Sequence, residues 1–390
     1  MPDGREPIAI RILQSIGEVE PEQWDACAGE ASPFLRHAFL AALEESGSAT
    51  RETGWLPQHL ALFDEAGRLA AATPLYLKSH SYGEYVFDWS WAHAYEQAGG
   101  NYYPKLQCCV PFTPVTGRRL LLRPDVEDPA LADALISGMA ELTRQHEVSS
   151  LHVTFATEEE WRRFGEVGFL QRVGVQYHWH NRGYGDFEAF LAALSSRKRK
   201  QIRRERRKAL DSGLTIRALS GDDIKPAHWD AFYRFYTSTS DRKWGSAYLT
   251  REFFDRLGET LSDAVVLIMA EHEGQPVAGA LNLRGSDALY GRNWGCAGHV
   301  RFLHFELCYY QAIDYAIEHG LARVEAGAQG EHKIQRGYQA TATYSAHLIR
   351  DPSLMRAVER FLAEERNAVR QEIQFLEDFE PFRKDLGAPS

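Results

Sequence analysis

The chain has 390 residues, of which 44% are hydrophobic and 25% are charged, and it carries a formal net charge of -10. Its length allows two domains, since a single core stops growing at roughly 250 to 300 residues, and its composition excludes an intrinsically disordered protein. Its five cysteines form no Cys-x-x-Cys pair, which argues against a disulfide framework and against a structural zinc site.

The N-terminal segment carries acidic residues early, at Asp3 and Glu6, and lacks the basic-then-apolar order of a secretory signal. No window approaches the ~18 consecutive apolar residues of a membrane span. We therefore expect a cytoplasmic protein without a membrane-spanning helix. Nothing in the sequence indicates its oligomeric state.

The first part of the chain predicts a strand, a helix and a hairpin. Residues 8–13 alternate like an edge strand, and residues 33–45 predict a helix with Ser32 as its N-cap. Residues 59–63 and 69–77 predict the two strands of a hairpin, with Gly67 at the turn position that favours a positive φ.

A second set of elements repeats the order of the first. Residues 265–270 and 277–283 predict another hairpin, in which Gly274 takes the place of Gly67. In both halves a helical pattern and a short apolar run follow: residues 131–147 and 151–155 first, residues 302–319 and 323–326 later. Internal duplication is therefore the leading hypothesis, with an insertion in the first copy.

These patterns predict an α/β protein of two domains, each a mixed sheet flanked by helices. The first domain spans residues 1–178 and contains the insertion at residues 78–123. The second spans residues 179–350 and contains a basic helix at residues 196–210, and residues 351–390 form a C-terminal helical segment.

Residues 292–297, Arg-Asn-Trp-Gly-Cys-Ala, match the Arg/Gln-x-x-Gly-x-Gly/Ala turn with which GNAT acyltransferases hold the pyrophosphate of coenzyme A. Successive backbone N–H groups at a turn before a helix can hold an anion, and glycine lets the backbone approach it. We therefore expect Arg292, Gly295 and Ala297 to contact an acyl donor. The alternative is an ordinary tight turn.

The basic helix carries nine basic residues and one acidic residue between positions 197 and 208, although the protein as a whole is acidic. A cationic face of this kind attracts a polyanion such as tRNA, through Arg199, Arg203, Arg204 and Arg207. The alternative is a solvated helix between domains.

The insertion is rich in aromatic residues and resembles the wall of a ligand pocket. Trp89, Trp91 and Tyr103 would form the apolar surface, while Asp88, His93 and Lys105 would orient the ligand. The alternative is that the aromatic residues belong to the core and that Asp88 caps the helix predicted at residues 89–98.

Polar residues cluster again at positions 331–338. Acyl transfer to an amine needs a proton acceptor, a cation or N–H group for the oxyanion and an acid for the leaving group. Lys333, His332, Glu325 and Tyr338 could divide these tasks, and Arg336 could bind substrate; the alternative for each is a surface residue without a role. The sequence lacks Gly-x-Ser-x-Gly, His-Glu-x-x-His and Walker motifs.

Several segments also carry a family resemblance. Residues 180–219, 229–245, 265–283 and 312–338 resemble the second half of the FemABX-type peptidoglycan-bridge transferases. With residues 88–106 (DWSWAHAYEQAGGNYYPKL) and 111–121 (PFTPVTGRRLL) the whole chain resembles the FemAB-like branch of bacterial predicted N-acyltransferases more closely.

The resemblance implies tandem GNAT-like domains with the acceptor in or beside the cleft between them. In Fem transferases an aminoacyl-tRNA donates its aminoacyl group to an amine on a peptidoglycan precursor, with the help of a lysine near the last GNAT-like motif. That lysine corresponds to Lys333, which lies four residues before Gly337, whereas Fem enzymes place it two residues before their glycine.

Together these observations predict an N-acyltransferase or aminoacyltransferase, with Lys333, Asp88 and Tyr338 as catalytic residues. The acceptor would be an amine-bearing small molecule or peptide, and acyl-CoA or aminoacyl-tRNA would be the co-substrate. We expect no metal site and no tightly bound cofactor. One alternative is a non-catalytic RNA- or tRNA-binding protein on a GNAT scaffold; another is a CoA-dependent acetyltransferase of small molecules.

Overall fold

The computed structural model describes residues 10–126, 128–211, 213–244, 247–298, 300–327 and 330–383. Its backbone divides into two compact units. The first comprises Met1–Gly174 and Thr343–Val369, and the second comprises Val175–Ala342 and Arg370–Ser390. Among the described residues, no helix combines the length and the apolar composition needed to cross a membrane.

The N-terminal half of the chain contains nine strands and five helices among its described residues. The strands are β1 (Ile10–Leu13), β2 (Trp55–Pro57), β3 (His59–Phe63), β4 (Leu69–Thr73), β5 (Leu75–Lys78), β6 (Lys105–Cys108), β7 (Leu121–Leu122), β8 (Ser150–Ala156) and β9 (Leu170–His180). The helices are α1 (Pro21–Ala28), α2 (His37–Glu45), α3 (Trp89–Gln97), α4 (Ala130–Gln145) and α5 (Glu158–Glu166).

In the C-terminal half the described strands are β10 (Leu214–Leu219), β11 (Val265–His272), β12 (Gln275–Arg284), β13 (Ala288–Cys296), β14 (Arg323–Glu325) and β15 (Gln339–Ile349). The helices are α6 (Phe187–Ala193), α7 (Ser196–Leu210), α8 (Pro226–Trp244), α9 (Arg251–Thr260), α10 (Leu303–Phe305), α11 (Gln311–Glu318) and α12 (Pro352–Glu377). A π-helical turn (Glu306–Tyr310) joins α10 to α11, and a 3₁₀ helix (Glu331–Arg336) precedes β15.

The first unit contains two sheets, and Pro74 separates them. Strands β1, β3, β4 and β7 form an antiparallel sheet. After Pro74 the chain enters β5, which pairs with β2 and β6; β6 then runs parallel to β8, and β8 pairs with the end of β15. The strand predicted at residues 69–77 is therefore two strands, because proline lacks the N–H group that a continuous ladder would use.

The core of the first unit lies under α4. Leu131, Leu135, Met139 and Leu142 recur at helical spacing on its buried face and belong to one apolar cluster with residues of β3, β4 and β8. Burial of this stripe accounts for the helix, since isolated helices of this length are marginal in water.

The second unit has one mixed sheet in the order β10-β11-β12-β13-β14-β9. The hairpin β11–β12 turns through Glu273 and Gly274, which both have positive φ, at 51° and 75°. One face of this sheet packs against α6, α7, the π-helical turn and α11, and the other face packs against α8. The hairpin and the basic helix α7 were both predicted from the sequence.

Two local predictions differ from the structure. Ser32 does not cap a helix, because residues Pro33–Leu35 form a 3₁₀ turn and α2 begins later, at His37, with Arg36 in the N-cap position. The helix predicted at residues 302–319 is interrupted by the π-helical turn. Residues 8 and 9 of the predicted edge strand lie outside the described residues.

Candidate active site

The parallel strands β13 and β14 separate after three residue pairs. Ala288, Leu289 and Tyr290 pair with β14, which ends at Glu325, whereas β13 continues to Cys296. Opposite β12, Gly291 pairs with Asn282 and Asn293 pairs with Leu281. Arg292 is therefore the extra residue of a β-bulge, and bulges often bend a strand next to a functional site.

A pocket of about 100 Å³ lies in the opening between the two strands. Its lining residues come from β12, from the bulged part of β13, from the helical segment that follows β13 and from the residue after β14. They are Ala280, Leu281, Asn282, Gly291, Arg292, Asn293, Trp294, His304, Cys308, Tyr309 and Ala326. Cys308 and Tyr309 lie in the π-helical turn, a feature often found at functional sites.

The prediction of a donor-binding turn at residues 292–297 is wrong. Gly295 pairs with Gly279 and Cys296 with Ala278 in the ladder with β12, so this backbone is extended and does not form an anion-binding loop. The N–H group of Ala297 donates to the Val277 carbonyl oxygen at 2.8 Å. Of the three predicted donor contacts, Arg292 lines the pocket, while Gly295 and Ala297 do not line it.

Gly295 is needed for packing. A Cβ atom at this position would lie 2.1 Å from the carbonyl oxygen of Phe235 in α8, a distance that real Cβ atoms do not reach. The glycine therefore allows α8 to approach β13. A glycine required by this packing contact looks the same in the sequence as a glycine required by a turn.

Lys333 lies beside the pocket, in the 3₁₀ helix. Its Nζ donates to the carbonyl oxygen of Gly327 at 2.8 Å, and Gly327 directly follows the pocket residue Ala326. The same Nζ lies 5.9 Å from the ring centre of Tyr177. Burial lowers the pKa of Lys333 to about 8, so the side chain is largely protonated at neutral pH and releases its proton far more readily than an exposed lysine.

The predicted residues Tyr338 and Arg336 lie in the same unit as Lys333. Tyr338 is fully buried, packs edge-on against Tyr309 with ring centres 5.6 Å apart, and its hydroxyl has no hydrogen-bond partner among the described residues. Burial raises the pKa of Tyr338 well above its usual range. Arg336 forms an ion pair with Glu205 at 3.0 Å.

Tyr309 was not predicted from the sequence as a site residue. Its hydroxyl lies 2.9 Å from Nε2 of His332, and its ring lines the pocket. Burial, assisted by the charge of Arg336, lowers the pKa of His332, so this imidazole is neutral at physiological pH and can accept a proton. In the sequence Tyr309 sits within an apolar helical pattern, which is more often core than active site.

The insertion of the first unit contains a buried network of charges. Lys105 Nζ lies 2.5 Å from Asp88 Oδ2, 2.7 Å from Glu84 Oε2 and 2.8 Å from Ser81 Oγ, so each of its three protons has an acceptor. The Tyr102 hydroxyl donates to the same Asp88 oxygen at 2.7 Å. The predicted catalytic residue Asp88 and the predicted ligand contact Lys105 are thus bonded to each other.

The pKa values of this network follow from burial and charge. Although burial opposes ionisation, Lys105 holds the pKa of Asp88 well below its usual range, and Glu84 and Asp88 hold the pKa of Lys105 above its usual range. Burial raises the pKa of Glu84 to about 7 and lowers that of Lys78 to about 7. The Lys105–Asp88 pair is therefore ionised at neutral pH, as expected of a structural ion pair.

The other residues predicted in the insertion have different environments. Trp91 is buried against His347, with ring centres 5.0 Å apart, as the core alternative expected. Trp89 is 40% exposed, and His93 is also exposed. The half-buried Tyr103 has its hydroxyl 2.9 Å from Ser81 Oγ. Asp88 occupies the N-cap position of α3 but makes no side-chain cap hydrogen bond.

One side of the basic helix α7 is held by hydrogen bonds and ion pairs. Arg203 pairs with Glu188, and Arg199 donates to the Ala192 carbonyl oxygen at 3.4 Å. Two of the four predicted polyanion contacts are therefore already partnered within the second unit.

The other side of α7 carries Arg197, Lys200, Arg204 and Arg207. These exposed side chains recur at intervals of three or four residues, which places them on one helical face, and they form no ion pair with any residue that the structure describes. Three of them line an open groove of about 570 Å³ together with Ser196 and Gln201. The predicted residues Arg204 and Arg207 belong to this basic face, to which the structure adds Arg197 and Lys200.

One family model matches the chain. It is the FemAB-like model, described as peptidoglycan biosynthesis/recognition, and it covers residues 15–384. No curated protein matches the sequence.

Several solved structures resemble this one. FemX shares 12% identity at a TM-score of 0.55, covering 87% of this chain and 98% of that chain. The C-terminal domain of a putative lysylphosphatidylglycerol synthetase from Agrobacterium fabrum shares 10% identity at a TM-score of 0.54, covering 89% and 97%. L-PGS from Bacillus licheniformis shares 11% at 0.51, covering 86% and 98%. At these identities the likeness concerns the fold, and the predicted tandem GNAT-like α/β class is confirmed.

Proposed function

The chain belongs to the FemAB-like family, and from that premise we propose that it is an N-acyltransferase. It moves an acyl or aminoacyl group from an activated donor, aminoacyl-tRNA or acyl-CoA, to the amine of an acceptor. The acceptor we propose is a peptidoglycan precursor or a related peptide, because the family description refers to peptidoglycan biosynthesis.

The observation that carries this proposal is the opening between β13 and β14 with Lys333 beside it. Two parallel strands that diverge leave backbone groups of both strands facing a gap, and the bulge at Arg292 widens that gap. A donor placed there would have its carbonyl group close to a buried cation.

The transfer itself requires a balanced exchange of bonds and protons. The amine nitrogen attacks the carbonyl carbon of the donor, a C–N bond forms, and the C–S bond of a thioester or the C–O bond of an ester breaks. The nitrogen loses a proton, and the leaving thiolate or alkoxide gains one. Lys333 stabilises the oxyanion as an ammonium group, supplies the proton to the leaving group and takes a proton back from solvent before the next turnover.

Tyr309 and His332 give the amine proton a route out of the pocket. The Tyr309 hydroxyl accepts a proton from the amine as it passes its own to the neutral imidazole of His332, 2.9 Å away. His332 is exposed and returns the proton to solvent. Tyr338 packs behind Tyr309 and fixes its ring.

The basic face of α7 supports an RNA-borne donor over acyl-CoA. Four cations along one helical face match the repeated phosphates of a nucleic acid, whereas a coenzyme carries fewer phosphates over a shorter length. Arg197, Lys200, Arg204 and Arg207 would hold the backbone of the donor tRNA.

Ligand binding tests the proposal before any acceptor is known. Native mass spectrometry of the purified protein identifies donors that remain bound, and thermal unfolding is then measured with acetyl-CoA and with uncharged tRNA as probes. We expect at least one probe to raise the Tm, and Arg292→Ala to reduce the shift from an acyl-CoA probe. Arg284→Ala, an exposed position at the end of β12, is the matched control. A protein that carries no donor and responds to neither probe would contradict the proposal.

A second candidate function is a non-catalytic RNA-binding protein, which the basic face also favours. Its signature is salt-dependent RNA binding without any effect of acyl donors. The RNA-binding constant K should then fall less steeply with salt when Arg197, Lys200, Arg204 and Arg207 are neutralised. The magnitude of the slope of log K against log salt should decrease by roughly 0.7 for each phosphate that the protein no longer neutralises. RNA binding with no acyl transfer from any charged tRNA would favour this alternative.

A further inference from the structure

Glu205, the one acidic residue between positions 197 and 208, is buried although its neighbours in sequence are cations. Its carboxylate accepts hydrogen bonds from the Tyr310 hydroxyl at 2.5 Å, from Arg336 Nη2 at 3.0 Å and from Gln201 Nε2 at 2.9 Å. A buried carboxylate is tolerated only when donors of this kind replace its lost hydration.

These bonds connect α7 to both segments that form the reaction site. Tyr310 follows the pocket residue Tyr309 in the π-helical turn, and Arg336 ends the 3₁₀ helix that carries Lys333. Arg206 also binds the π-helical turn, through Glu306, but its hydrogen bonds to described residues do not reach the 3₁₀ helix.

The 3₁₀ helix depends on such side-chain contacts for its orientation. It is only six residues long and lies between Gly330 and Gly337, whose φ angles are 117° and 89°. Glycine at both ends permits these φ angles, and because glycine has no Cβ it restricts the orientation of the segment less than other residues would. Arg336 fixes it: its Nη1 donates to the His332 carbonyl oxygen at 2.8 Å, its guanidinium lies 3.5 Å from the ring centre of Phe305, and its Nη2 binds Glu205.

We propose that Glu205 is a positioning residue of the transfer site, which holds Lys333 in place through Arg336 and the pocket wall in place through Tyr310. The proposal rests on the function proposed above, since Lys333 acts in that reaction. It also gives the basic helix two faces with separate roles, a cationic outer face and an inner face that fixes the site.

Chemical acetylation of Lys333 tests this without a known substrate. The folded protein is treated with limiting acetic anhydride over a range of pH, and the modification of Lys333 is quantified by peptide mass spectrometry. Only the neutral amine reacts, so the midpoint reports the pKa of Lys333, which we expect near 8 in the wild type. In Glu205→Gln the released helix exposes the amine to water, and the midpoint rises by roughly one unit towards the ordinary value of 10.5.

Glu306→Gln is the matched control. Glu306 is also a buried carboxylate that bonds an arginine of α7, at 3.0 Å, but its partners among the described side chains lie outside the 3₁₀ helix. We expect this variant to lose stability without moving the midpoint. Arg336→Gln removes the cation of the ion pair with Glu205 and should shift the midpoint as Glu205→Gln does. It replaces Glu205→Gln in the experiment if Glu205→Gln does not fold.

An unchanged or lowered midpoint in folded Glu205→Gln or Arg336→Gln, or an equal rise in Glu306→Gln, would overturn the proposal. The acetylation experiment needs no turnover. A protein that fails the donor-binding test can therefore still show the midpoint shift, and the two failures remain distinct.

Discussion

Lys78 and Lys105 stand directly opposite each other on the neighbouring strands β5 and β6. Two like charges in this arrangement destabilise a sheet, and both side chains are fully buried. The insertion that follows β5 resolves the conflict, because it returns Glu84 and Asp88 over the strand ends, where they bind Lys105 at 2.7 and 2.5 Å. Buried ion pairs thus hold the segment between β5 and β6 against the start of β6.

We predict that Asp88→Asn destabilises the protein by about 3 kcal/mol, because it leaves Lys105 buried with one anionic partner fewer. Urea unfolding of the isolated variant measures the change. Asp133→Asn, which removes an exposed partner of Arg163, is the control and should change stability by less than about 0.5 kcal/mol. An Asp88→Asn variant as stable as the wild type would instead favour the catalytic role predicted from the sequence.

The same variant should have a distinct pH dependence. The folded pKa of Asp88 lies below its usual value of 3.8, since Lys105 outweighs the effect of burial. The stabilisation is therefore fully present above pH 3.8 and is lost as the pH falls through the folded pKa. The difference in unfolding free energy between wild type and Asp88→Asn should be constant from pH 5 to pH 6 and should shrink below pH 4, as followed by urea titrations. A difference that grows on acidification would refute this assignment.

Lys333→Met should stabilise the protein at neutral pH while it slows transfer. In the folded state Lys333 is buried and its pKa is about 8 instead of 10.5, which lowers the free energy of unfolding. The net cost is on the order of 2 kcal/mol once the contribution of the Lys333 hydrogen bond is subtracted, and it applies in full below pH 8. Between pH 8 and pH 10.5 the unfolded state binds more protons, so wild-type stability rises and the advantage of the variant disappears. Thermal unfolding across this range checks the prediction; a variant less stable than wild type at pH 7 would show that Lys333 serves the fold.

Gly295→Ala should destabilise the protein by about 3 kcal/mol, because its Cβ would meet the Phe235 carbonyl oxygen. Gly298→Ala is the matched control, since a Cβ there meets no atom within 4 Å. Urea unfolding of both variants separates packing from donor binding. If Gly295→Ala kept full stability and lost only its response to an acyl donor, the phosphate-contacting role predicted from the sequence would be restored.

The parts of the fold that depend on local sequence could be predicted. The basic helix α7, found at Ser196–Leu210, and the hairpin through Gly274 are both specified by residues close together in the chain. The order of elements in the second unit also follows from hydrophobic periodicity and turn residues.

The parts of the fold and of the site that depend on contacts between residues distant in sequence could not be predicted. Arg292 to Cys296 resembled a turn because nothing in the sequence reveals that α8 packs on Gly295. The pairing of Lys105 with Asp88 depends on the loop between β5 and α3, which brings Asp88 to the start of β6, where Lys105 lies. Tyr309 lines the pocket because it lies in a π-helical turn, which the sequence did not predict. Glu205 lies among cations in the sequence, but its contact with the distant Arg336 could not be predicted from the sequence.

The most direct test of the proposed transfer is the reaction itself. The purified protein is incubated with a lysine-containing peptide and either acetyl-CoA or a pool of aminoacyl-tRNA, and the peptide mass is measured over time. We predict that the wild type acylates the peptide amine with at least one donor, that Lys333→Met is slower by at least about 100-fold, and that the exposed control Lys225→Met retains the activity. Equal product from wild type and Lys333→Met, or no product from either class of donor, would contradict the account.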